Sequence, residues 1–293
     1  VPSKRRRLSA FVKILLSLFL VCGLLVAGAY YVLTTFEPVE PTVEAPDPGC
    51  RLQLSDGKYE MEIAQAVSAT TVGGVAFSRD LPPEAVTVAF ATVWQESAFY
   101  NLEYGDRDSL GLFQQRPSQE WGEPEEILDP VFATRAFYDE LVEVNNWSEI
   151  PVFEAAQAVQ RSADGYAYDQ HEGLSARMAE VTTGELGPSL TCWYDAEGLD
   201  ALRAGDADTA GAQEEMARVF GVDPAELPLN ADEEMRTGDL GWAMALWAVA
   251  HAEEYGLTSV AYGDRLWRAS DGLDGAEAWT AAGEDNGGRV VLG

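Results

Sequence analysis

Glu96 and Ser97 close an apolar stretch, and a Gly-bounded segment, Gly105-Asp106-Arg107-Asp108-Ser109-Leu110-Gly111-Leu112-Phe113-Gln114-Gln115, follows shortly after. One carboxyl group thus stands at the end of a helix and two more on a loop beside it, the groups that acid-catalysed scission of a glycosidic bond draws on. Apolar neighbours remove water from Glu96, and the negative end of the helix dipole opposes a further negative charge, so both effects raise its pKa. A carboxyl group that keeps its proton near neutral pH can hand it to a leaving oxygen, a step worth ~10²- to 10⁴-fold in rate. The competing reading of the same residue is a plain surface glutamate at a helix end.

A second carboxylate decides the mechanism. An inverting hydrolase needs a base that activates water across a gap of ~6.5 to 9.5 Å, whereas attack by the sugar's own N-acetyl or hydroxyl group needs only one protein acid. Asp106 is the candidate base. Asp108 is the alternative, because one of the two can be an Asx-turn residue that accepts backbone hydrogen bonds instead of touching substrate. Saccharides offer one apolar face and a rim of hydroxyls, which suits a groove of aromatic platforms with amide and hydroxyl partners. Ser97, Phe99, Tyr100, Gln114, Gln115 and Trp121 have that chemistry, although an aromatic in an α domain is more often core than platform.

The element that must position Glu96 is a helix over Pro83–Glu96. Its body, Glu84 to Trp94, is apolar on nearly every face, and a proline pair at its front suits the first turn of a buried helix.

Together, Glu96-Ser97 and Gly111-Leu112-Phe113-Gln114 resemble the Glu-Ser to Gly-Leu-x-Gln signature of soluble lytic transglycosylases and goose-type lysozymes. Gly105-Asp106-Arg107 is similar to the goose-type loop, and Leu128-Asp129-Pro130-Val131 with Phe137-Tyr138 is similar to the Asp-Pro-led helix that follows it. The resemblance covers roughly residues 58 to 190 and implies a lysozyme-like α fold, cleavage of peptidoglycan glycan strands, Glu96 as the acid and Gln114 as a substrate contact. Two departures stand against it. In Ala155-Ala156-Gln157-Ala158-Val159-Gln160-Arg161-Ser162, Val159 and Gln160 replace the family's Tyr and Asn, and Arg116 stands where goose-type enzymes carry another acid. They leave open a non-catalytic scaffold that binds glycan in a degenerate groove.

The N-terminus speaks to location. Lys4, Arg5, Arg6, Arg7 and Lys13 precede about 20 uncharged residues, 14–33, and Glu37, Glu40 and Glu44 follow. The expectation is a single transmembrane helix with its start in the cytoplasm and the main domains outside, the alternative being a signal peptide cleaved at Ala27-Gly28-Ala29. Cys22 lacks the small residue before it that lipidation needs, which leaves Cys50 and Cys192 as the pair to form a disulfide. Residues 34–49 are rich in Pro and Glu and read as a spacer. With 19 basic against 49 acidic residues, a net charge of −30, nucleic acid is excluded as a partner.

Past Cys192 the chain changes character. Residues 195 to 213 read as a connector with room for one short helix; Gly238 to Tyr255 reads as an amphipathic helix closed by Gly256, and Ser259 to Tyr262 with Arg265 to Trp267 reads as a hairpin. This part weakly resembles a D-Ala-D-Ala carboxypeptidase or hedgehog-like module. A zinc peptidase needs three protein ligands, and His251 is the sole histidine there, so no metal or other cofactor is expected and a packed His251 is favoured. His171, the other histidine, is a minor candidate for the site. The expected organisation is a basic tail over 1–13, a transmembrane helix over 14–33, a linker over 34–49, a mainly α lysozyme-like domain over 50–194, and a connector with a small α+β domain over 195–293.

Overall fold

The computed structural model describes residues 10–35, 47–161, 165–227, 238–283 and 286–293. Lys4 to Arg7 of the basic tail, the linker over 36–46 and Ser162 lie outside the described residues.

Helix α1 (Ala10–Thr35) takes up the apolar N-terminal run. Among the described residues no helix is long and apolar enough to cross a membrane. The transmembrane helix in the expected fold class is thereby corrected.

Residues 46–293 form one compact unit. It contains β1 (Gly49–Leu54), β2 (Gly57–Met61), α2 (Ile63–Ser78), α3 (Pro83–Ser97), α4 (Pro124–Ile127), α5 (Pro130–Glu143), α6 (Val152–Gln160), α7 (Glu172–Thr182), β3 (Leu190–Trp193), α8 (Ala196–Ala204) and α9 (Thr209–Phe220). After these come α10 (Leu240–Ala250), α11 (Ala252–Tyr255), β4 (Ser259–Tyr262), β5 (Arg265–Arg268), β6 (Trp279–Ala281) and β7 (Val291–Leu292). The strands make two antiparallel sheets, β2-β1-β3 and β6-β5-β4-β7. In the first sheet Cys50 lies opposite Cys192, and the two are joined as a disulfide, as the count of cysteines predicts. The link ties the start of the compact unit to a strand 142 residues later.

The hairpin expected past residue 258 is present, with Tyr262 paired to Arg265. The connector is more ordered than its composition predicts, since α8 and α9 occupy most of 196–220. Both are capped by aspartates, Asp195 accepting from the Gly198 N–H and Asp208 from the Gly211 N–H. The helix expected to run amphipathically to Tyr255 differs too. Leu240 and every residue from Ala243 to Ala250 are buried, so α10 is apolar on all faces, and the chain breaks at His251 before α11. Packing explains it: α10 lies against α2, α9, β3 and β4, which leaves it no face for solvent.

The boundary expected at 194/195 falls between β3 and α8, and a single apolar cluster runs across it, joining Val72 and Val75 of α2 to Val219, Phe220, Met244 and Trp247. Gly74 makes the approach of α9 possible, because a Cβ there would lie 2.6 Å from Val219 Cγ1. Phe77 and Phe220 meet at 5.6 Å between ring centroids. At the rim, Arg218 of α9 holds Asp129, the N-cap of α5, through two hydrogen bonds of 2.7 and 3.0 Å.

Candidate active site

α3 begins with Pro83 in its first turn and buries Ala85 through Val93. It ends abruptly. Ala98 and Phe99 both take positive φ, 50° and 65°, a left-handed backbone that costs a non-glycine residue ~1–2 kcal/mol. Burial of the Phe99 ring against Phe90 and Trp94, at 5.2 and 5.0 Å, offsets that cost. The reversal leaves Glu96 half-buried at the rim, and Ser97 just past it points inward. The Ser97 hydroxyl donates to the Leu112 carbonyl at 2.7 Å, tying the helix end to the loop.

Two side chains close on the Glu96 carboxylate. Tyr168, itself buried, donates its hydroxyl to Oε1 at 2.7 Å, and Gln160 at the end of α6 hydrogen-bonds the same group. The Gln160 amide also donates to the Phe113 carbonyl at 2.8 Å, so it bridges Glu96 and the Gly-Leu-Phe-Gln segment. Burial pushes the Glu96 pKa up, and the two hydrogen bonds pull it part of the way back by favouring the charged form. The carboxyl group can therefore hold a proton while two partners stand ready for the anion.

The neighbouring loop is built around Gly111, whose φ of 74° and close approach to the Ile127 carbonyl exclude a side chain. Asp108 is locked on it. It accepts from the Ser118 N–H at 2.9 Å and from Arg116 Nε at 2.8 Å, and hydrogen bonding to Ser118 first, then to Arg116, holds its carboxyl far below the usual carboxylate range. Arg116, the departure from the goose-type pattern, thus serves as a clamp for this loop. Asp106 is 92% exposed, and among the described residues its side chain meets Arg107, at 3.9 Å. No hydrogen bond among the described residues directs either aspartate toward Glu96.

The remaining sequence candidates divide by orientation. Gln115 is buried and donates to the Ala133 carbonyl at 3.1 Å, which leaves it no surface for a ligand. Gln114, at φ 49°, is half-buried with its amide on the Tyr104 and Gly111 carbonyls. Tyr100 is half-buried and hydrogen-bonds the Glu62 side chain. Trp121 packs one side against the core. His171 stacks on Trp94 at 6.3 Å and reaches Gln95 Oε1 at 3.2 Å, one residue from Glu96.

Tyr168 and Gln160 are the residues sequence reasoning missed as partners of Glu96. Gln160 stood in view as an amide where the resemblance calls for Asn; Tyr168 lies eight positions further on, and no spacing rule links it to Glu96. His251 is 4% exposed, with Nδ1 2.8 Å from the Trp247 carbonyl and Nε2 3.4 Å from Thr71 Oγ1. The carbonyl can only accept, so Nδ1 carries the proton and Thr71 donates to Nε2. Burial pushes this imidazole down to about 4. It lines a cleft of about 350 Å³ with Glu215, Arg218, Glu254 and Tyr255. A larger cavity, about 560 Å³, lies beside Phe77 and Arg79. Glu96 lines neither. Glu96 is instead distinguished by being half-buried and held by both Tyr168 and Gln160. No group of three or more metal-ligating side chains occurs among the described residues. Compared with known proteins, the chain matches no family model and no curated protein.

Proposed function

We propose that this protein cleaves the glycan strands of peptidoglycan outside the cytoplasm, with Glu96 as the general acid. The observation that carries the reading is a half-buried carboxyl at the end of an apolar helix, held by Tyr168 and Gln160 and raised in pKa by burial. The motif resemblance to goose-type lysozymes and soluble lytic transglycosylases supports it, and the Cys50–Cys192 disulfide suits an oxidising compartment.

Glu96 delivers its proton to the bridging oxygen as the C1–O bond breaks, and the Tyr168 hydroxyl and the Gln160 amide stabilise the carboxylate left behind. A hydroxyl of the same sugar then attacks C1 and returns its proton to Glu96, which closes an anhydro ring. This single-acid route is favoured over hydrolysis because Asp108 is committed to Arg116 and Ser118 and no partner among the described residues orients Asp106 toward the acid.

Digestion of insoluble peptidoglycan with the full chain and with Glu96→Gln tests the reading. Soluble fragments with anhydro-muramic ends are expected from the first and none from the second. Fragments with reducing ends would replace the single-acid route with a hydrolytic one through Asp106. Glycan binding without turnover by the folded, unaltered chain would overturn the enzyme and leave a glycan-binding scaffold.

A further inference from the structure

Two large rings stand out in solvent among the described residues of 46–293: Tyr166, 76% exposed, and Tyr104, 73% exposed. The other exposed large apolar side chains there, Val142, Leu186 and Val291, are aliphatic. A single exposed apolar residue is ordinary. Here both rings fall on the two segments that build the Glu96 site. Tyr166 lies two residues before Tyr168, which donates to Glu96. Tyr104 lies on the loop that leaves α3, and its carbonyl accepts from Gln114 at 3.3 Å.

Tyr166 is also held in place. Its ring stacks on Phe153 with centroids 5.0 Å apart and planes 23° from parallel. Phe153 belongs to α6, the helix whose last residue, Gln160, hydrogen-bonds Glu96. The exposed ring is therefore braced by one element of the site and covalently next to another. A ring fixed by stacking has lost its side-chain freedom before any ligand arrives, which lowers the cost of binding. Its open face offers apolar, uncharged area, a match for the apolar face of a pyranose.

We infer that Tyr166, braced by Phe153, is a stacking platform for an uncharged amino-sugar unit of the glycan chain entering the Glu96 site, with Tyr104 as a second, unbraced platform on the neighbouring loop. The inference rests on the glycan-cleaving reading and adds to it two binding residues and the part of the sugar they recognise. It also gives the excess of carboxylates a place: a strand held by ring faces needs no charge attraction from a protein with net charge −30.

The test separates binding from turnover. In the Glu96→Gln background, affinity for soluble N-acetylglucosamine oligosaccharides is measured by calorimetry; with Glu96 intact, KM and kcat are measured on peptidoglycan. Tyr166→Ala is expected to weaken binding and raise KM roughly fivefold with kcat held, and Tyr166→Phe to keep both values, since the ring and not the hydroxyl does the stacking. Tyr104→Ala, lacking a brace to lose, is expected to cost roughly twofold. Unchanged affinity and KM in Tyr166→Ala would overturn the platform while leaving Glu96 as the acid. Absence of both glycan binding and turnover in the unaltered chain would overturn the glycan reading and the platform together.

Discussion

Two apolar helices of the compact unit each end in a titratable side chain, and the two ends differ in one respect. At the end of α3, burial raises the pKa of Glu96, and the residue stays half-buried while Tyr168 and Gln160 hold its carboxyl. At the end of α10, burial lowers the pKa of His251 to about 4, but the ring is 4% exposed in the wall of its cleft, stacked on Trp247 at 3.9 Å and satisfied at both nitrogens. Both groups are perturbed mainly by desolvation. A perturbed group becomes a candidate for chemistry only where a substrate can reach it, and by that criterion the lesser-buried residue is the functional one.

The largest effect that tests this contrast is on turnover. Glu96→Gln keeps the shape of the side chain and removes the transferable proton, so peptidoglycan cleavage is expected to fall by ~10²- to 10⁴-fold. His251→Gln keeps a polar group of similar reach, and turnover per folded molecule is expected to stay at the level of the unaltered chain. A collapse of activity in folded His251→Gln protein would erase the distinction drawn between the two helix ends.

Stability should respond in the opposite order. His251→Ala removes a fully packed ring from Trp247 and leaves the Thr71 hydroxyl without its acceptor, and a loss of about 3 kcal/mol is expected in denaturant unfolding. The pH dependence has a definite sign. A histidine whose folded pKa is depressed contributes stability that is complete above the unfolded value of ~6.5 and is lost progressively as pH falls to about 4. His251→Gln should flatten this part of the stability profile; a profile of unchanged slope between those limits would mean that the imidazole is not the group responsible.

How much of this was legible in the sequence follows from the range of the interactions. α3, Glu96 at its end and the Asp129-Pro130 start of α5 are set by local features, a proline at N1, an uninterrupted apolar run and an aspartate cap, and all can be read within one turn of helix. The disulfide followed from counting. The Tyr168 bond to Glu96 spans 72 residues and the Arg218 bond to Asp129 spans 89; no local pattern records either. α10 shows the same limit from another side. Its spacing of Leu240, Ala243, Met244 and Trp247 marks one apolar face, but only the arrival of α2 and β4 on the remaining faces makes it fully buried. The inward turn of Gln115, on the loop, likewise depends on the Ala133 carbonyl, contributed by α5.

A smaller effect brings stability back to Glu96. A glutamate whose folded pKa is raised contributes stability that is present below its unfolded pKa and is lost as pH rises through the folded value. At neutral pH and above, the half-buried carboxylate is thus a net cost to the fold. Glu96→Gln should remove it and gain about 1 kcal/mol, seen as a Tm higher by roughly 2–4 °C at slightly alkaline pH and as no gain in acid. The variant that loses the most activity would then be a stabilised one, the reverse of His251→Ala. A Glu96→Gln protein less stable than the original at alkaline pH would mean that its carboxylate is well solvated and that the raised pKa plays no part in the site.

The smallest effect separates positioning from packing at Tyr168. Tyr168→Phe keeps the buried ring and deletes the hydroxyl that donates to Glu96 Oε1. Losing a donor to the charged form removes one of the two interactions that lower the Glu96 pKa, so the pKa rises further and the alkaline limb of the activity profile moves to higher pH. Glu96 also becomes a weaker acid whose anion is less well held, so the plateau rate should drop roughly threefold. These two changes run in opposite senses, activity extended in pH yet reduced in height, and a purely structural defect would lower the plateau without moving the limb. A limb that shifts toward acid, or stays in place while the rate falls, would reduce Tyr168 to a packing residue and make the Glu96 site resemble the packed end of α10.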